Sequence, residues 1–237
     1  MTEWKARRFW TDAAVEAAAG GFAVRLDERP VRTPAKAELI VPSRALADGV
    51  AGEWRAQGET VDPWSMPLTR AANAALDRVT PMRAAVADEL AGYGESDLLS
   101  YRAERPDALI ERQSAAWDPM LDWMDDRFGA RLATTRGVMP APQPANAVEA
   151  LRAHVHAMTA WELTALNEFV TLTGSLVLGL AVMEGASAVS DIWDASRIDA
   201  TWQAEQWGED EEEADRIAAK RAAFLQADRY LALVRAD

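Results

Sequence analysis

Cysteine is absent from the 237 residues, which excludes disulfides, thiolate metal sites, iron–sulfur clusters and cysteine nucleophiles. Positive charge is scarce: 25 Lys and Arg face 38 Asp and Glu, and only Lys5, Lys36 and Lys220 are lysines. The resulting net charge of −13 argues against nucleic acid, which needs clustered cations, and favours a partner with a basic face. Histidine is limited to His154 and His156. Two residues apart, they fall on different faces of a helix, whereas a shared metal wants i,i+3 or i,i+4 spacing. No glycine cluster has the spacing of a phosphate-cradling loop or a dinucleotide fingerprint. No apolar run reaches the about 20 residues that cross a bilayer. The densest, Trp161–Met183, is free of charge only from Phe169 onward. The start MTEWKARRFW has no apolar h-region, and the bias toward Ala and Arg is that of a GC-rich bacterial genome; the expectation is a cytoplasmic bacterial protein.

Hydrophobic residues make up 49% of the chain, enough for a substantial core. From Ala6 to Pro42 the pattern alternates apolar and polar, with turns at Gly20-Gly21 and Asp27–Pro30 and a short strand in Ala37–Val41. Ser43 is a suitable N-cap for a helix through Leu46, Val50 and Trp54, ending at Gly58. After the Pro-punctuated link Glu59–Pro67 the period becomes helical throughout. Leu68, Ala72, Ala75, Leu76 and Val79 share one face, followed by Met82, Val86 and Leu90. Pro106 opens a helix carrying Trp117, Leu121 and Met124, which Pro119 should kink or restart and Gly129 end. Gly137–Pro144 reads as an extended connector. Trp161–Met183 is expected to form one central helix, approached closely at Gly174 and Gly179. A further helix carries Ile192, Trp193, Ile198 and Trp202, capped by Ser187 or Ser190, and a last one runs from about Asp210 to Val234. The expected class is α+β: a small antiparallel-sheet-plus-helix domain in residues 1–66, then a larger all-α domain in 67–237.

Two excesses remain. The acidic run Glu209–Glu213, extended by Asp215, suits the positive end of a helix dipole and a solvated first turn. It could also hold a divalent cation, as in a metal-dependent enzyme using Glu209–Asp215 with Asp199 or Glu205, though no calcium-loop pattern is present. A third reading is a docking face for basic groups of a partner, as in an acidic adaptor. Ten tryptophans are the other excess; Trp207, just before Gly208 and the acidic run, is the one best placed to border a recognition surface.

Residues 24–77 (VRLDERPVRTPAKAELIVPSRALADGVAGEWRAQGETVDPWSMPLTRAANAALD), GESDLLSYRAERPDALIERQSAAWDPMLDWM, LTGSLVLGLAV and SRIDATWQAEQWGEDEEEAD resemble, in the same order, the ATP12 family of assembly chaperones for the F(1) head of ATP synthase. The resemblance runs nearly end to end. It implies a small α+β domain before a helical one, and a chaperone rather than an enzyme. It further implies that the unassembled α subunit is the partner, shielded until the α/β ring forms, with no cofactor and no metal, and with a monomer as the expected state. In that family an acidic residue soon after a Trp-Gly pair is implicated in function. Trp207-Gly208 matches the pair, so the resemblance assigns partner binding to Glu211, with Asp215, Glu205, Trp207 and Glu209 around it.

Overall fold

The computed structural model describes residues 7–140, 142–208 and 210–236. These divide into two compact units: one from the described residues of Met1–Arg83, Thr159–Ala165 and Arg229–Asp237, the other from Ala84–Met158 and Leu166–Asp228.

The first unit is built on a small antiparallel sheet. Strands β1 (Ala13–Ala18) and β2 (Gly21–Leu26) form a hairpin in which Val15 faces Val24 and Ala18 faces Gly21. The other edge of β2 pairs with β3 (Arg29–Pro30) at one end and β4 (Ile40–Val41) at the other. Gly21 is required where β2 meets β4, because a Cβ there would lie 2.1 Å from the Val41 carbonyl oxygen. Helix α1 (Arg44–Arg55) covers the sheet with Leu46, Ala47, Val50 and Ala51. Ser43 caps it as expected, its hydroxyl accepting from the Leu46 N–H at 3.1 Å. The end at Gly58 is corrected: α1 stops at Arg55 with right-handed Ala56 as its C-cap. Glu53 of α1 then organises α2 (Pro67–Ala74), its carboxylate accepting from the Leu68 N–H at 2.7 Å and the Thr69 N–H at 2.8 Å, donors the start of a helix otherwise leaves unpaired.

Beyond α2 the chain makes a π turn (Ala75–Val79) and a 3₁₀ turn (Thr80–Met82) before α3 (Arg83–Gly92). Each residue added to a turn rotates the rest of the helix by about 100°. The expected stripe is therefore partly displaced: Leu90 is buried as expected, but Met82 is exposed and Val86 half-buried, and Ala87 and Ala91 complete the buried face of α3.

The second unit is helical apart from two parallel two-residue strands, β5 (Tyr101–Arg102) and β6 (Thr135–Arg136). Helix α4 (Asp107–Phe128) buries Trp117, Leu121 and Met124 and ends at left-handed Gly129. It runs through Pro119 without the expected restart. Helix α5 is Ala145–Ala157, with Leu151 and Val155 buried. The single central helix is also corrected, because the apolar stretch forms α6 (Ala160–Thr173) and α7 (Leu176–Met183). The chain turns at Gly174, whose φ is 74°. Ser175 caps α7, accepting from the Leu178 N–H at 3.0 Å, and the buried carboxylate of Asp97 accepts from Ser175 Oγ, at 2.7 Å, and from the Val177 N–H, at 3.0 Å. These groups satisfy the donors of a helix start inside the core, which is why the break is tolerated there. All eight residues of α7 are buried. A Cβ on Gly179 would come within 2.8 Å of the Val170 side chain and 3.1 Å of Leu166, the close approach expected of that position.

The helix expected through Trp193 and Trp202 is two, α8 (Val189–Ser196) and α9 (Ile198–Trp207), meeting at Arg197. The first is preceded by Ala188 rather than capped by Ser187 or Ser190. Helix α10 (Glu211–Val234) closes the chain. Among the described residues no helix is long and apolar enough to cross a membrane.

Candidate functional site

Within the second unit, α4 and α9 pack together, and their polar groups interlock. Gln113 is buried; its Oε1 accepts from the Ala103 N–H at 2.8 Å and its Nε2 donates to Asp199 Oδ1 at 2.6 Å. Trp117 donates its indole N–H to the Ala195 carbonyl at 2.8 Å, tying α4 to α8. The guanidinium of Arg102 sits 5.2 Å from the Trp117 ring centre and 2.8 Å from the Asp118 carboxylate. Five residues before Trp117, Arg112 lies over Trp202 at 5.0 Å and donates to Glu205 at 2.9 Å. That hydrogen bond lowers the Glu205 pKa below its ordinary value and raises that of Arg112.

An open groove of about 620 Å³ runs between the start of α4, the outer face of α9 and the segment after β6. Trp202, Gln203, Gln206 and Trp207 line it from α9, opposite Leu109 and Val138. The indole of Trp207 is among the most exposed large apolar groups of the chain. Glu205 does not line this groove; it accepts from Arg112 and lines a second, smaller depression that includes Ile217 and Arg221 of α10.

The acidic run opens α10. Asp210 Oδ1 accepts from the Glu213 N–H at 2.9 Å, and Glu213 forms an ion pair with Arg216. Glu211 and Asp215 are exposed. Of the five residues assigned to partner binding, Glu205 is therefore engaged within the chain, Trp207, Glu211 and Asp215 stand open, and Glu209 lies outside the described residues. The histidines face apart: His156 meets Asp88 at 2.6 Å, while His154 lies 3.7 Å from Glu184. Among the described residues no group of three or more His, Asp or Glu is placed to hold a metal ion. Val138 and Met139 escaped sequence reasoning, although an apolar pair inside the Pro-rich segment GVMPAPQP was a visible signal.

Comparison with known proteins bears on what such a surface serves. Residues 7–125 match the sequence profile of the ATP12 chaperone protein family. The chain belongs to the ATP12 chaperone family. A family of chaperones for ATP synthase assembly, it is not one of enzymes. The crystal structure of Atp12 from Paracoccus denitrificans is 48% identical and superposes with a TM-score of 0.95, covering 98% of this chain and all of that one. A mutant of the same Paracoccus protein gives a TM-score of 0.96 at 47% identity, over 99% of this chain and all of its own. The mitochondrial protein atp12 of Schizosaccharomyces pombe is 23% identical, across 88% of this chain and 77% of its own length. The α+β order of sheet first and helices after is thus that of the Atp12 structures.

Proposed function

We propose that this ATP12-family protein binds the unassembled α subunit of the F(1) sector, in the bacterial cytoplasm and as a monomer, and covers the surface that later meets its neighbour in the α/β ring. The task needs no bond chemistry. A chaperone of this kind covers an aggregation-prone interface and yields it to a tighter partner by mass action. The observation that carries the reading is the exposed Trp207 followed, after Gly208, by the open carboxylates of Glu211 and Asp215. An aromatic anchor beside unpaired charge is what a protein interface uses for affinity and for selection of a basic partner.

Co-purification of the protein with the F(1) α and β subunits of its own organism, each expressed alone, tests this. The expected result is that α stays soluble and co-elutes while β does not. Binding of neither subunit, or of β instead, overturns the assignment.

A further inference from the structure

Among the described residues of the second unit, the large apolar side chains most exposed to solvent gather in one place. Val138 is 90% exposed, Met139 74% and Trp207 81%. Val138 and Trp207 line the same groove, and Met139 adjoins Val138 in the chain. Exposed large apolar side chains gathered at one groove mark an interaction site. The groove between the two anchors is polar in a particular way. Gln203 and Gln206, one turn apart on α9, line it with primary amides that make no side-chain hydrogen bond among the described residues. An amide offers a donor and an acceptor together, which is the pairing an extended peptide backbone requires. Asp199 also lines the groove, held by Gln113, and past Trp207 come Asp210, Glu211, Glu212 and Asp215. The charged residues lining the groove itself are Asp199, Arg102, which is matched by Asp118, and Arg105, so further negative charge comes only from the acids that follow Trp207 in the chain.

We infer that the groove seats an extended segment of the client, its apolar side chains held by Trp207 and Val138, its backbone by Gln203 and Gln206, and a Lys or Arg on it by the acids that open α10. The inference rests on the client-binding reading above and adds to it what kind of segment is recognised and where. A second copy of this chain is a poorer occupant, since association would bring together two proteins each carrying a net charge of −13.

The test places a photoreactive benzoyl-phenylalanine at Val138 of the full chain, with Glu89, exposed on α3, as the control position. Each protein is irradiated with purified α subunit, the cross-linked peptide is identified by mass spectrometry, and α binding is measured in parallel. The expected product joins position 138 to one α-subunit segment bearing a Lys or Arg beside apolar residues, with none from position 89. Trp207→Ala and the double change Gln203→Ala with Gln206→Ala should each weaken α binding, the first by at least about tenfold, without moving the unfolding temperature. If α binds the wild-type protein but position 138 gives scattered or no cross-links, or Trp207→Ala binds as well as wild type, the groove is not the seat and the client reading survives. Cross-links between copies of this chain overturn the inference in favour of self-association. If α does not bind the wild-type protein, the client reading itself fails and the inference falls with it.

Discussion

Arg112 of α4 and Glu205 of α9 are joined at 2.9 Å across two helices, with the guanidinium also lying over Trp202. The pair is exposed on both sides, where solvent screening leaves an ion pair little to add to stability. Glu205 is thereby occupied and acts by positioning α9. Glu205→Ala should leave the unfolding temperature nearly unchanged and change α-subunit affinity less than Trp207→Ala does. Binding titrations of the two variants side by side decide this; a larger loss from Glu205→Ala makes that carboxylate a direct contact.

Glu211 and Asp215 offer the opposite case, because neither has a side-chain partner among the described residues. Glu211→Lys, alone and with Asp215→Lys, should leave the unfolding temperature nearly unchanged while slowing association with the α subunit and flattening its dependence on salt. Association rates measured at low and at physiological ionic strength provide the check. Unchanged rates would remove the acidic run from the docking surface.

Asp97 is the most consequential carboxylate for the fold. Burial pushes its pKa up, against the pull of hydrogen bonds from the Val177 and Leu99 N–H groups and the Ser175 hydroxyl. Asp97→Asn replaces one acceptor by an amide nitrogen and turns a donor toward another donor at the start of α7. The expected cost is about 1–3 kcal/mol, read from chemical denaturation. A variant as stable as wild type would show that the α6–α7 break does not depend on this group.

A fourth test uses pH. Thr159 and Glu162 form a capping box at the start of α6: Thr159 Oγ1 accepts from the Glu162 N–H at 3.2 Å, and Glu162 Oε2 accepts from the Thr159 N–H at 3.0 Å. Arg235 adds an ion pair at 2.8 Å. Burial pushes the Glu162 pKa up, but the bonds from Thr159 and Arg235 outweigh it and leave the value below the ordinary one. A lowered folded-state pKa contributes stability that is present above the unfolded value of about 4.3 and is lost as pH falls through the folded value. The stability difference between wild type and Glu162→Gln, at most about 1 kcal/mol for a pair this exposed, should be present at neutral pH and fade as pH falls below the ordinary glutamate value. Thermal unfolding at neutral and at acid pH measures it, and a difference that does not fade contradicts the assignment.

Much of the fold was legible in the chain because local chemistry decided it. Ser43 caps α1, Gly129 ends α4 in the left-handed region, and the hairpin turns at Ala19-Gly20, one residue before the expected Gly20-Gly21, since each depends on one side chain or one backbone conformation. The errors arose where a distant residue overrode the local pattern. Trp161–Met183 reads as one continuous apolar helix, and it is two because Asp97, some 78 residues before Ser175, satisfies a helix start that solvent cannot reach. The phase of α3 was lost to the π turn at Ala75–Val79, which periodicity does not register.

The candidate site divides in the same way. Composition by itself determined the acidic character, the absence of cysteine chemistry and the position of Trp207 beside the acidic run, because charge and residue type survive any packing. Only tertiary structure decided that Glu205 is spent on Arg112 while Glu211 and Asp215 stay open, and that Val138, far from Trp207 in the chain, lines the same groove. Such pairings depend on how α4, α9 and the segment after β6 approach in space, and hydrophobic periodicity reports which face of an element is buried without specifying the element it is buried against.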